Sequence, residues 1–248
     1  MKIYKHRKEP EQLSGEELDH YLAKGWYRMH QDIFTVSHLV DWPKIEANRV
    51  WWLRYHVDNI QSHTSHKKLI KRNNKFSYVI KKYDQIEEEE ELLYKKYGAW
   101  ITFDCYDSIA DSLFDNEPNK SVYDSWAILV YDQDKLIAMG IFDRGKEAIM
   151  SKLHFYDPDY EKYSLGKYLI LLTIEYMRNN GFCWYYPGYI VVDRPRFNYK
   201  LFLGKESAEY YCPDADTWKS YVESIMQPEV LTPDEHNYLF NVVFSYWR

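Results

Sequence analysis

Between Tyr156 and Lys200 the sequence sets out four clusters of side chains suited to chemistry. Tyr156-Asp157-Pro158-Asp159 brings a phenol and two carboxylates to a turn, and Ser164-Leu165-Gly166-Lys167-Tyr168 opens a helix with a hydroxyl, a glycine and a cation. Tyr186-Pro187-Gly188-Tyr189-Ile190 places two phenols on a strand, and Pro195-Arg196-Phe197-Asn198-Tyr199-Lys200 closes the stretch with two cations and a further phenol. Backbone N–H groups at a helix start favour an anion. Phenols can pass protons, and a guanidinium matches a carboxylate in shape and charge.

The elements that must position these groups follow from periodicity. Leu165, Tyr168, Leu169, Leu172 and Tyr176 share one face of a predicted helix Leu165–Asn179, with Ser164 as its cap and Asn180-Gly181 as its stop. Strands are expected at Ser125–Tyr131, Lys135–Phe142 and Ala148–Tyr156, joined by short polar turns into an antiparallel meander, with a further strand at Phe182–Val192. Upstream, Phe76–Tyr83 reads as a strand, and Asp84 as the cap of a helix through Tyr97 whose five leading glutamates suit a solvated helix start. Short helices are expected at Asp107–Phe114 and near Asp216–Met226, and an exposed loop at Asp115–Lys120. Gly25–Val36 and Asn48–Ile60 read as strands flanking a loop at Asp41-Trp42-Pro43. Ser62 or Thr64 caps a short helix on which Lys67, Lys68, Lys71 and Arg72 crowd one side, suited to phosphate contact.

Charge is uneven. Residues 1–83 carry 16 Lys+Arg against 9 Asp+Glu, hence +7, whereas the remainder carries 16 against 29, hence −13, within a whole-chain net of −6. A basic front on an acidic body suits local contact with a polyanion rather than indiscriminate nucleic-acid binding. With 46% hydrophobic residues the 248-residue chain can build a substantial core. It has no apolar run long enough to span a membrane and no signal-peptide segment, so a cytoplasmic protein is expected. Cys105, Cys183 and Cys212 are widely spaced, without a C-x-x-C pair, and read as small, partly buried thiols. No metal site is expected. His30 and His38 read as plain polar residues.

The four clusters resemble the C-terminal signature of arginyl-tRNA–protein transferases and their bacterial leucyl relatives, in which Y-D-P-D, S-L-G-x-Y, Y-x-G-Y-x-I and P-x-M-x-Y-K follow in this order. Upstream, Gly25-Trp26-Tyr27-Arg28 is similar to a G-x-R-R-type strand, Leu53-Arg54-Tyr55-His56-Val57 to L-R-x-x-V, and His66–Asn73 to S-x-R-R-x-x-x-R-N. Lys135–Gly140 and Ala148–Ser151 are similar to segments of the family's meander, so the resemblance runs from about Gly25 to Trp218. Two departures stand out: the family's N-terminal cysteine cluster cannot exist in a chain with no cysteine before Cys105, and the last motif is altered between Pro195 and Lys200.

The resemblance implies an α/β (α+β) fold like that of the GCN5-related N-acetyltransferases. In it a mixed, largely antiparallel sheet is flanked by helices and extended by a β-rich N-terminus. The expected division is a basic region 1–74 packed on a transferase domain 75–248. It implies transfer of an amino acid, with arginine favoured, from charged tRNA to an acceptor protein's N-terminus, without a cofactor. Tyr156 or Tyr189 would donate a proton to the departing ribose oxygen, Asp157 would anchor a cationic amine, and backbone near Lys152–Phe155 would hold the oxyanion. Lys67, Lys68, Lys71, Arg72, Ser164, Gly166 and Lys167 would hold the tRNA donor, and Arg196, Tyr199 and Lys200 the acceptor. In acetyltransferases the helix-opening turn binds the pyrophosphate of coenzyme A. Here Tyr163 and Tyr168 replace its polar and small positions, which argues against that donor. An acyl-CoA enzyme and a silent tRNA- or peptide-binding relative remain the alternatives.

Overall fold

In the computed structural model the described residues are 3–41, 46–114, 121–228, 232, 234, 235, 237 and 238. Residues 42 and 43 of the first expected loop, and the whole loop 115–120, lie outside them. The elements are β1 (Lys5–Lys8), α1 (Gly15–Ala23), β2 (Tyr27–Met29), β3 (Asp32–Val36), β4 (His38–Asp41), β5 (Glu46–His56), α2 (Thr64–Asn73) and β6 (Ser77–Lys82). They continue with α3 (Glu88–Trp100), α4 (Ile109–Phe114), β7 (Ser125–Asp132), β8 (Lys135–Arg144), β9 (Ala148–Tyr156), α5 (Leu165–Asn180), β10 (Trp184–Val191), β11 (Ala208–Cys212) and β12 (Thr217–Ser220).

Among the described residues the main sheet runs β12-β11-β5-β10-β9-β8-β7-β6, with β4 paired to β5. Every pairing is antiparallel except β9 with β10, which α5 connects as a crossover. The mixed, largely antiparallel sheet and the order β-α-α-β-β-β-α-β from β6 to β10 are those expected of an acetyltransferase-like fold. Apolar side chains on both faces of the central strands make this a three-layer structure. On one face Ile128, Val130 and Ile137 pack with Leu165, Leu169 and Leu172 of α5 and Leu69 of α2. On the other, Leu129, Met139 and Phe155 pack with Leu93 and Tyr94 of α3 and Leu113 of α4.

The N-terminal segment is tied into the same body. β5, from the first of the two expected segments, lies between β10 and β11 of the second. Arg28 on β2 is fully buried and donates to Asp143 at 2.7 Å, to Ser125 at 2.9 Å and to the carbonyls of Leu113 and His30. Asp19 of α1 accepts from the backbone N–H groups of Lys146, Glu147 and Ala148 at the β8–β9 turn.

Several local expectations are corrected. The N-cap of α2 is His63 rather than Ser62 or Thr64, and it makes no side-chain cap bond. α3 starts later than expected, capped by Glu87 in a capping box with Glu90 rather than by Asp84. The glutamate run is not merely solvated: Glu90 is fully buried and accepts from Tyr83, and Glu91 caps α4 through the N–H groups of Ile109 and Ala110. The helix expected near Asp216–Met226 is instead β12 followed by a 3-10 turn Glu223–Met226, because Thr217–Ser220 finds β11 as an edge partner.

Candidate active site

The site begins where β9 and β10 part. They pair in parallel only from Ala148–Trp184 to Met150–Tyr186, after which the recorded partner of β10 is β5 alone. A register shift lies on each strand near the split. On β10 it falls between Tyr185 and Gly188, and on β9 it leaves Lys152 unpaired between Ser151, opposite Phe142, and Leu153, opposite Ile141. Bulges bend a strand and re-aim its side chains. Here they flank the mouth of the split.

A cavity of about 720 Å³ opens there. β9 lines it with Lys152, Leu153, His154 and Tyr156, the start of α5 with Ser164, Gly166 and Lys167, and β10 with Tyr189. The 3-10 turn Pro195–Leu201 adds Arg196, Phe197, Tyr199 and Lys200, and α3 with the loop after it adds Tyr94, Tyr97, Phe103 and Cys105. Two glycines make room. A Cβ on Gly140 of β8 would meet the His154 ring at 3.1 Å, and one on Gly188, where φ is +98°, would meet the Lys200 ammonium at 3.3 Å. The first lets the imidazole lie against the sheet, and the second lets the amine approach the strand.

The cavity thus brings together one catalytic candidate from β9, one from β10, the helix-opening turn and the whole acceptor cluster. Tyr156 leans on Tyr97 and Trp100, at centroid distances of 5.3 and 5.9 Å, and Tyr189 packs against Trp52 and Phe197 at 5.0 and 5.4 Å. Burial pushes the Tyr189 phenol up to about 12, with Arg196 opposing, and burial and then Glu161 raise Tyr156. Both hydroxyls therefore hold their protons at neutral pH. Arg196 lies over the rings of Phe103 and Phe197, and nearly half of the Tyr199 surface is open.

Asp157 does not line the cavity. It is buried beside Lys96 at 2.6 Å and Lys135 at 2.7 Å, and it caps the 3-10 turn Pro158–Tyr163 through the Asp159 N–H. Burial alone would raise its pKa, but the Lys135, Lys96 and backbone hydrogen bonds together outweigh it and leave the carboxyl below its ordinary value. These contacts use its oxygens to hold the turn that precedes α5. The expected role in anchoring a substrate amine is replaced by a structural one.

Ser164 occupies the N-cap position of α5 but in the left-handed region (φ 52°), and its side chain makes no cap bond. The expected hydroxyl cap is therefore absent, and Ser164 serves by turning the chain so that Gly166 and Lys167 face the cavity. Tyr168 is buried in the core beneath α5 rather than set at the turn, and the Tyr163 hydroxyl is engaged by Lys75 at 2.9 Å. The Tyr168 ring thus leaves the helix start open, and the expected obstruction to a pyrophosphate there is withdrawn.

Lys67, Lys68, Lys71 and Arg72 are exposed on α2 and outside the cavity. The end of α2 is nevertheless tied to the cavity rim: Arg72 donates to the Lys162 carbonyl at 2.9 Å and Asn73 to the Tyr163 carbonyl at 3.0 Å, immediately before Ser164. Among the described residues no group of three or more His, Cys, Asp or Glu side chains could hold a metal ion. His30 is bonded to the Asp111 carbonyl and His38 to Ser37. Cys183 and Cys212 are partly buried, but Cys105 is exposed on the cavity wall, contrary to expectation.

Two cavity residues escaped sequence reasoning. Lys152 and His154 lie on β9 at i and i+2, where the sequence drew attention only to the backbone. Polar side chains alternating within an otherwise apolar strand were the available signal. Burial lowers Lys152 to about 7, with the nearby Arg28 charge adding to the effect and Asp143 opposing it. Burial also lowers Lys200 to about 7, and burial and then Lys200 lower His154 to about 4. Lys152 and Lys200 are partly exposed as whole residues, through the cavity, while its walls strip water from their ammonium groups.

Comparison with known proteins adds to this geometry. The family described as "Arginine-tRNA-protein transferase, C terminus" matches residues 89–207. The Saccharomyces cerevisiae arginyl-tRNA–protein transferase 1 is 38% identical over 76 residues, 31% of this chain and 15% of that one. An aspartate/glutamate leucyltransferase of Leptospira interrogans is 24% identical over 197 residues, 78% of this chain and 74% of that one. The matches to three eukaryotic arginyl-tRNA–protein transferases span 15 to 29% of those relatives' length. Among solved structures, the ribosomal-protein-S18-alanine N-acetyltransferase of Escherichia coli is 14% identical with a TM-score of 0.31, covering 42% of this chain and 62% of that one. Its likeness is too distant to add to the topology above. With the motifs of residues 89–207 folded around one cavity, the chain is similar over that stretch to the arginyl-tRNA–protein transferases and, over more of its length, to the bacterial aspartate/glutamate leucyltransferases.

Proposed function

We propose that the protein is an aminoacyl-tRNA–protein transferase that moves an amino acid, with arginine favoured, from charged tRNA to the N-terminal residue of an acceptor protein. The carrying observation is that motif residues from four separate segments, Tyr156, Gly166, Tyr189 and Lys200, line one cavity whose rim is bonded to the basic helix α2. An aminoacyl ester is already activated, so the enzyme must supply position, oxyanion stabilisation and a proton. Lys67, Lys68, Lys71 and Arg72 would hold the tRNA backbone, and the start of α5 with Lys167 its 3′ end. Arg196, Tyr199 and Lys200 would seat the acceptor.

The acceptor's α-nitrogen attacks the ester carbonyl carbon, forming the new amide bond. The bond to the ribose oxygen breaks, and that oxygen takes a proton from the Tyr189 or Tyr156 phenol. The proton released by the amine restores the phenol, so charge and atoms balance. Backbone N–H groups of β9 beyond Met150, where pairing with β10 has ended, are suited to the oxyanion. A reaction on charged tRNA also fits a cytoplasmic location, and the product would alter the acceptor's N-degron.

The test is to incubate purified protein with radiolabelled arginyl- or leucyl-tRNA and an Asp-initiated peptide. Label in the peptide supports the reading, and no transfer from any charged tRNA sinks it. Because Tyr168 leaves the start of α5 open, acetyl-CoA belongs in the same assay. Turnover with it alone would favour an acyl-CoA enzyme.

A further inference from the structure

Lys152 of β9 and Arg196 and Lys200 of the 3-10 turn Pro195–Leu201 reach the same cavity. None of the three makes a salt bridge among the described residues, in contrast to Lys96 and Lys135, which are paired with Asp157 just outside it. Lys152 is also the bulged residue of β9, the position at which a strand re-aims a side chain. Its ammonium lies 5.9 Å from the centroid of the Tyr106 ring. The acid nearest in influence to Lys152 is Asp143, and that carboxylate is already held by Arg28 and Ser125 through Oδ1. An amine on a desolvated wall, beside an Arg28–Asp143 pair whose Oδ2 has no hydrogen-bond partner, and itself without a salt bridge among the described residues, is an incomplete half of a charge-assisted contact. His154, two residues on, is held neutral by burial and by Lys200, so it adds a polar surface without competing charge.

We propose that Lys152 is a specificity-determining residue: its ammonium receives the side-chain carboxylate of an acceptor whose first residue is Asp or Glu. This rests on the transferase reading above and adds to it the residue that selects the acceptor. A carboxylate entering the cavity supplies the missing charge, whereas an isosteric amide leaves the amine desolvated and uncompensated. Discrimination then comes from the cost of the wrong partner as much as from the bond to the right one.

The experiment measures binding of two peptides that differ only in Asp or Asn at position 1, without tRNA, to the wild-type protein and to Lys152→Met, Lys152→Arg and Lys152→Glu. The wild type should prefer the Asp peptide by about tenfold or more, as expected for one charge-assisted hydrogen bond. Lys152→Met should collapse that ratio towards one, Lys152→Arg should retain most of it, and Lys152→Glu should invert it. The inference is overturned if the wild type has no Asp preference, or if the preference survives in Lys152→Met. It is equally overturned if Lys152→Met weakens tRNA binding while leaving the peptide ratio intact, since the amine would then serve a phosphate. Because the wild-type comparison needs neither a variant nor turnover, failure of transfer with a preserved Asp preference would sink the transferase reading alone.

Discussion

Lys200 donates from its side-chain nitrogen to the carbonyl oxygen of Tyr189 at 2.8 Å, joining the 3-10 turn Pro195–Leu201 to β10 across the mouth of the cavity. The contact depends on Gly188, whose missing side chain leaves space for the amine. One end of the last motif is therefore fixed by the motif before it, although 11 residues separate them. Lys200→Met should raise the KM for an acidic acceptor peptide by about tenfold or more, through loss of one charged hydrogen-bonding group. Steady-state kinetics at fixed charged-tRNA concentration check this.

Gly188→Ala tests the same relationship from the strand side. A Cβ at φ +98° is strained and would crowd both the Lys200 amine and the Tyr27 ring at 3.4 Å. A loss of about 1–3 kcal/mol in stability is expected. Chemical denaturation measures it, and the acceptor KM should rise in parallel because the amine is displaced.

The two cavity lysines make stability depend on pH. Their folded-state pKa of about 7 lies below the unfolded value of 10.5, so between those limits the unfolded chain binds more protons. Stability should therefore rise as pH increases from about 7 towards 10. The penalty for burying charge is fully present below about 7. Thermal unfolding of the wild type against Lys152→Met/Lys200→Met, across that range, should show the double variant losing part of this rise.

Asp157→Asn separates a structural from a catalytic role. The substitution removes a carboxylate that pairs with Lys96 and Lys135 and caps the following turn. A loss of about 2 kcal/mol is expected, less than for a fully buried pair because both lysines reach solvent. Since the folded pKa is depressed, this contribution is present above the unfolded pKa and lost as pH falls through the folded value. Transfer measured well below the melting temperature should fall far less than with Tyr189→Phe.

Charge reversal at Lys67, Lys68 and Lys71 should weaken tRNA binding and flatten its salt dependence, by roughly one unit of log–log slope for each phosphate no longer neutralised. These side chains are exposed on a helix whose Leu69 and Asn73 face inward, so folding should be spared. Fluorescence anisotropy with labelled tRNA across a salt series measures both quantities. An unaltered slope would confine α2 to a surface role.

Much of this protein was written in local patterns. The short polar turns between Ser125–Tyr131, Lys135–Phe142 and Ala148–Tyr156, and the apolar face of Leu165–Tyr176, specify a meander and a helix packed on it, because turns that short join only antiparallel neighbours and a period of 3.6 sets its apolar side chains on one side. The four motifs from Tyr156 to Lys200 marked the chemistry-bearing stretch before any contact was known. Tertiary structure alone decided which of those residues share a cavity. Asp157 and Tyr156 are adjacent in sequence, yet one side chain is buried between two lysines while the other lines the opening, since Tyr156 ends β9 and Asp157 caps the turn that follows. Lys152 and His154 became visible only when β9 and β10 separated beyond Met150 and Tyr186, because where two strands cease to pair depends on partners far along the chain. Sequence spacing records the period of an element, but burial, charge compensation and the place of a bulge are set by what packs against it.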